Sequence, residues 1–148
     1  MTNKLNDLIN AKTHQDYATA SGRMMHAEMG HVFFAPNGAI GDSDLLERLS
    51  SVPELVEIMG PLSHTEVPVA GYVNNRFISR RIDRLYINND IKRIVILDYK
   101  TDVDKKLFYK KYTEQLKEYY ALLKQIYQDY NIECKILWLN DFTLENII

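Results

Sequence analysis

The stretch "RRIDRLYINNDIKRIVILDYKTD", Arg80 to Asp102, decides how this chain is read. It has the pattern of two strands around a tight polar turn, "NND" at 88–90. Side chains alternate along a strand, so residues two apart share a face. Asp98 and Lys100 therefore point one way at the end of the second strand, and Tyr99 points the other. "IVIL", residues 94–97, is apolar throughout, which suits a central strand covered on both faces. With the hairpin turning around Asn89, Asp83 falls near Ile96 to Asp98 across the pair, and directly opposed residues lie about 4.5–5.5 Å apart. Two carboxylates then converge at one end of a sheet, where packing alone would favour apolar side chains.

The neighbouring segments supply the rest of the sheet. "HTEVPVAGYV" predicts a strand from about Thr65 to Tyr72, with Pro68 hinting at an edge or a bulge. "NN" at 74–75 is a hairpin turn signal, and Arg76 to Ile87 is the strand that follows it. From Asp104 to Tyr130 the pattern predicts a long helix with Asp104 as its N-cap, and Glu133 to Leu139 a last strand. After the helix crosses over, that last strand can lie parallel to the third. Upstream, residues 1–15 are polar, a frayed start or a short helix. A helix is expected over Asp16 to His31, where Met25, Met29 and Val32 recur at helical spacing. "APNGAIGDSD" reads as a loop, with Asp42 or Ser43 capping "DLLERLSSV". "PELVEIM" is a short helix with Pro at a suitable first position. The order is helices, a three-stranded antiparallel meander, a long helix and a parallel strand, which gives an α/β sheet with helices on its faces.

The bulk numbers fit one domain. The chain has 148 residues, 46% hydrophobic and 26% charged, so a normal core can form. A net charge of −2 argues against a strongly basic nucleic-acid coat, although a local basic stripe can work within an acidic whole. The single cysteine, Cys134, excludes an internal disulfide and a four-cysteine zinc site, and is expected to be a small buried apolar residue. Residues 1–10 show no signal peptide, and no apolar run approaches the ~20 residues of a membrane span. A cytoplasmic protein with no membrane partner is expected.

Two unneutralised carboxylates this close repel, so one must protonate or a cation must intervene. Mg²⁺ prefers hard oxygen ligands, and Mn²⁺ accepts similar sites. Beside such an ion, a lysine can orient a water or steady charge developing on phosphorus. Asp83, Asp98 and Lys100 thus form the kit for metal-assisted hydrolysis of a phosphodiester. The competing reading is structural: Asp98 and Lys100 as a strand-end ion pair, with Asp83 paired to Arg80, Arg81 or Arg84. Spacing alone does not decide between them.

"RIDRL", an apolar strand, "LDYKTD" and then "YTEQLKEYYALL" together resemble the PD-(D/E)xK nuclease superfamily, and more closely the C-terminal nuclease domain of AddA/RecB-type helicase–nucleases. "GPLSHTEVPVAGYV" and "CKILWLNDFTLENI" extend the resemblance to Val52–Ile148, about two thirds of the chain. It implies a restriction-endonuclease-like core over 62–148, with residues 1–50 as a divergent helical part of the same domain. It implies Asp83 and Asp98 as metal ligands, Lys100 as the catalytic lysine, and the backbone carbonyl of Tyr99 as a further ligand. Gln115 and Tyr119 match the family's Q-x-x-x-Y signature; four residues apart, they lie on one helix face and can reach the site or the DNA backbone together. Glu66 matches a glutamate at the edge of the site. Gly22 and His26 in "SGRMMHAEMG" match a helix whose histidine ligates metal, with His14 and His31 as nearby alternatives. Arg80 stands where the family usually has glycine, so it either narrows the DNA path or adds a phosphate contact.

The implied function is a Mg²⁺- or Mn²⁺-dependent deoxyribonuclease acting without sequence specificity on DNA ends or single strands, in the end processing that precedes double-strand break repair. The sequence contains no GxxxxGK[ST], so a separate helicase subunit is a further expected partner. Lys105, Lys106, Lys110 and Lys111 at the start of the long helix, with Arg76, Arg80, Arg81 and Arg84, are the candidate phosphate contacts. The alternatives are a catalytically weak or inactive nuclease-fold subunit that binds DNA or a partner protein, and another nuclease of the same superfamily.

Overall fold

The computed structural model describes residues 23–148. Expectations that fall on residues 1–22, among them the start of the first helix, Gly22 and His14, lie outside the described residues. The elements run α1 (residues 23–30), α2 (Ser43–Ser50), α3 (Pro53–Ile58), β1 (Ser63–Val73), β2 (Arg76–Asn88), β3 (Arg93–Lys100), α4 (Lys105–Ile126), β4 (Asn131–Trp138) and β5 (Thr143–Asn146).

The strands form one mixed sheet in the order β1-β2-β3-β4-β5. β1, β2 and β3 pair antiparallel in sequence order, and β4 lies parallel to β3, with Arg93 opposite Asn131 and Lys100 opposite Trp138. The turns that set this register are local chemistry. Asn74 and Asn75 both take left-handed φ, 52° and 63°, as a two-residue hairpin turn requires. At the next turn the Asn88 side chain accepts from the amide of Asp90, a local bond that favours turning. The expected four strands are in fact five: β5 follows a tight turn at Phe142 (φ 54°) and pairs antiparallel with β4.

Helices cover both faces. Met29, Leu49, Leu55 and Ile58 meet Val95, Leu97, Tyr99 and Leu137 on one face. Leu116, Tyr119 and Leu123 of α4 meet Ile94, Ile96, Cys134, Ile136 and Trp138 on the other. Alternation of "RIVILDYK" is therefore real: even-numbered residues face α4 and odd-numbered ones face α1 to α3. Gly71 allows β1 to approach α4 closely, since a Cβ there would meet Leu122 at 2.9 Å. Asp104 caps α4 through the amide of Leu107, and Asp42 caps α2 through Leu45. α4 stops at Ile126, short of the expected Tyr130, because the chain must turn by Tyr130 to enter β4 at Asn131. Tyr127 and Tyr130 pack edge to face within that turn, at 5.1 Å. Cys134 is fully buried, and burial pushes its thiol up to about 12, so it behaves as an apolar residue. Among the described residues, no helix is long and apolar enough to cross a membrane.

One expected DNA contact is corrected by the fold. Arg84 is fully buried. Its guanidinium donates to the carbonyls of Met29 and Val32, to Ser63 Oγ and to Tyr99 Oη, and lies 4.6 Å from the centre of the Phe33 ring. No phosphate can reach it. Arg84 instead ties the end of α1 to the sheet beneath the site, which is why a chain would bury a guanidinium there. Arg84→Met is expected to lower stability by about 3 kcal/mol in urea denaturation, because four buried acceptors lose their donors. A phosphate-binding arginine would change DNA affinity instead and leave the urea midpoint in place.

Candidate active site

The β-alternation breaks where the site lies. Ile82 packs toward α4, yet Arg84, two residues on, reaches the opposite helices. Thr65 stands opposite Arg84 and Val67 opposite Ile82, so the break sits at the pair Glu66–Asp83, where Glu66 has a left-handed φ of 50°. Such a distortion costs about 1–3 kcal/mol in a non-glycine residue and is common at functional sites. Here it frees Asp83 from a regular position. The β2–β3 ladder ends at Arg84–Leu97, and Asp83 Oδ2 then accepts from the backbone amide of Tyr99 at 2.8 Å. Asp83 thereby lies across from Asp98, one step beyond the Arg84–Leu97 pair; the loop spans residues 89–92, longer than the expected "NND" turn at 88–90, and this shifts the register toward Asp98.

Asp98 and Lys100 share the face toward α4, with Lys100 Nζ 2.9 Å from Asp98 Oδ2. The same ammonium donates to Gln115 Oε1 at 3.1 Å. Gln115 Nε2 donates to Tyr119 Oη at 2.8 Å, and Tyr119 Oη donates to the carbonyl of Arg81 at 3.3 Å. A continuous polar chain thus runs from Asp98 through Lys100, Gln115 and Tyr119 back to β2. Asp83, Asp98, Lys100, Gln115 and Tyr119 all meet in it or beside it.

The two carboxylates are held in opposite electrostatic states. Burial raises Asp98 to about 7; the Asp83 charge adds to this and Lys100 opposes it. Burial pushes Asp83 the same way, but bonds from His26, the Tyr99 amide and Asp98 outweigh it and hold Asp83 below the usual carboxylate range. One proton shared between them near neutrality is the expected outcome for neighbouring carboxylates without a cation.

The site opens into a cleft of about 480 Å³ lined by His26, Arg80, Lys100, Asp102, Lys111, Gln115 and Glu118, among others. Arg80 is the unexpected residue of the opening stretch, and the structure gives it a place on this wall. It pairs with Glu118 of α4 at 3.5 Å, as Arg76 does at 3.0 Å. Lys111 also lines the cleft, whereas Lys105 and Lys106 line a separate hollow with Tyr109 and Glu145. Lys105 Nζ is engaged by Asp141 at 2.7 Å. Glu66 is exposed and turns toward Arg81 at 3.6 Å rather than into the cleft. Two further residues of the wall escaped the sequence reading: Asp102, visible as the second acid of "DYKTD", and Tyr112, one among ten tyrosines.

The donor types suit a hard divalent cation. Asp98 Oδ2 is buried and accepts no well-formed hydrogen bond, although Lys100 lies beside it. A buried carboxylate oxygen left this way is costly, and a cation relieves it. His26 Nε2 stands 3.5 Å from Asp83 Oδ2 and 3.0 Å from the carbonyl of Tyr99. The carbonyl can only accept, so in this arrangement Nε2 carries the proton. Ligation by His26 through Nε2 requires that contact to break, whereas the Tyr99 carbonyl keeps a second lone pair free for an ion. Among the described residues, no three His, Cys, Asp or Glu side chains form a group that could hold an ion. The fit rests on the two carboxylates and the Tyr99 carbonyl.

No family model matches this chain, and no curated protein matches it.

Proposed function

We propose that this chain is a metal-dependent deoxyribonuclease of the PD-(D/E)xK type, with the restriction-endonuclease-like core that this implies. The observation that carries the reading is the polar chain Asp98–Lys100–Gln115–Tyr119, with Asp83 across the strand pair, at the edge of an open cleft. A strand-end ion pair needs Asp98 and Lys100 alone. It gives no reason to set a glutamine of another element on the same ammonium and a tyrosine behind that glutamine, nor to bury a carboxylate oxygen without hydrogen bonds.

Asp83, Asp98 and the Tyr99 carbonyl would hold Mg²⁺ or Mn²⁺. When bound, the ion polarises a phosphoryl oxygen and lowers the pKa of a water. Lys100 orients the attacking water or offsets charge developing on the phosphate. Gln115 and Tyr119 hold Lys100 in register with the sheet, so that this charge is in place before the substrate arrives. Arg80 and Lys111 on the cleft wall take the DNA backbone, and contacts to phosphate alone make binding sequence-independent. DNA ends or single strands are the substrate, and a separate helicase subunit is the partner where duplex must be opened.

Incubating the protein with linear single- and double-stranded DNA should give cleavage in Mg²⁺ or Mn²⁺ and none in EDTA. Intact DNA under all these conditions contradicts the reading. Two observations favour the second reading, a non-catalytic DNA- or protein-binding subunit: the His26 contact with Tyr99 and, among the described residues, the lack of a three-side-chain metal group. That reading gives retarded but uncut DNA in the same experiment.

A further inference from the structure

We propose that Tyr112 is a positioning residue for Lys100, its ring forming the third wall of the ammonium's seat. The inference rests on the nuclease reading of the site. An ammonium has three N–H donors. Lys100 Nζ pairs with the Asp98 charge at 2.9 Å and donates to Gln115 at 3.1 Å, and its remaining side meets the face of the Tyr112 ring, 4.1 Å from the centroid. A ring face carries negative potential, so it satisfies a cation without offering a proton acceptor that could draw the amine away.

The ring is itself fixed from three directions. Phe108 stacks on it at 5.8 Å, and Trp138 tilts against it at 6.1 Å. Its hydroxyl donates to Asp102 Oδ2 in the loop between β3 and α4. Tyr112 lies three residues before Gln115 on α4, so one helix presents both the acceptor and the ring to the same ammonium. A tyrosine that served packing alone would be replaceable by leucine. A tyrosine that walls the lysine's seat is replaceable only by another ring.

Tyr112→Leu and Tyr112→Phe test this in the full chain. Misplacing a reacting group by about 1 Å can cost about a hundredfold. The Leu variant should therefore lose about a hundredfold in kcat with KM for DNA within about twofold, while the Phe variant stays within about threefold of wild type. A second measurement does not depend on activity. The Lys100 ε-methylene signals, assigned in NMR spectra by their loss in Lys100→Arg, should be shifted upfield by the ring in wild type and the Phe variant, and not in the Leu variant. Unchanged kcat in Tyr112→Leu, equal losses in both variants, or an upfield shift that survives in Tyr112→Leu would overturn the proposal. Wild-type protein that cuts no DNA would sink the nuclease reading, and the catalytic meaning of the seat with it; the NMR shift would still report whether the ring holds the ammonium.

Discussion

Lys100→Ala is expected to lower metal-dependent DNA cleavage by about a thousandfold, the range typical for removing a positioned proton-transfer or charge-stabilising group. The mechanism is local. Lys100 touches Asp98, Gln115 and the Tyr112 ring at once. Removing it silences the site and leaves the outer cleft, so DNA affinity should change little in a gel-shift titration. Lys100→Arg should not rescue activity. The seat accepts a compact ammonium with one carboxylate oxygen, one amide oxygen and one ring around it, whereas a planar guanidinium fork demands paired acceptors. Cleavage within about tenfold of wild type in both variants would place the chemistry elsewhere.

Asp98→Asn should abolish cleavage and at the same time stabilise the metal-free protein. Burial raises the folded-state pKa of Asp98 from 3.8 to about 7. Below pH 4 the carboxyl is protonated in both folded and unfolded chains and favours neither. Between about pH 4 and 7 the unfolded chain releases this proton and the folded one keeps it, so stability falls as pH rises. Above about pH 7 the folded group also ionises and the loss is complete. Asp83, held below its usual range, acts in the opposite sense only at lower pH. The whole effect is of order 4 kcal/mol, or roughly 8–16 °C in Tm. Thermal melts in EDTA should therefore show little advantage for Asp98→Asn near pH 4 and a clear one at pH 8. Added Mg²⁺ should raise the melting temperature of wild type and leave that of Asp98→Asn where it was. Destabilisation by Asp98→Asn at pH 8 would identify Asp98 as a structural ion-pair partner of Lys100.

Much of this site was legible because its geometry follows from a turn and a period. "NND" marks the β2–β3 hairpin, but its loop runs over residues 89–92, and that longer loop is what sets Asp83 across from Asp98. The two-residue period puts Lys100 beside Asp98, and the four-residue helix spacing puts Gln115 and Tyr119 on one face. These rules act over a few residues. What they could not give depends on distant packing. Arg84 looks from its neighbours like another basic residue on a strand. Only the carbonyls of Met29 and Val32, brought in by α1, make it a buried strut. The break in alternation at Glu66–Asp83 is likewise invisible in "HTEVPV", because it needs both strands and both helical layers in place. Tyr112 carries no signature apart from its proximity to Gln115. The short strand β5, with mixed polarity, has no pattern of its own and forms because β4 offers it an edge. Arg80, which looked misplaced, is explained by its partner Glu118 on α4, a contact between residues 38 apart in the chain.

The claim on which everything else depends is that Asp83 and Asp98 are a cation site and not two ends of separate ion pairs. Mn²⁺ binding followed by electron paramagnetic resonance tests it without reference to any substrate. Wild type should take up Mn²⁺ at this site, with Mg²⁺ competing for it, and Asp83→Ala and Asp98→Ala should each lose that binding, while Lys100→Ala retains it. Equal Mn²⁺ uptake by wild type, Asp83→Ala and Asp98→Ala, or none by wild type, would contradict the account.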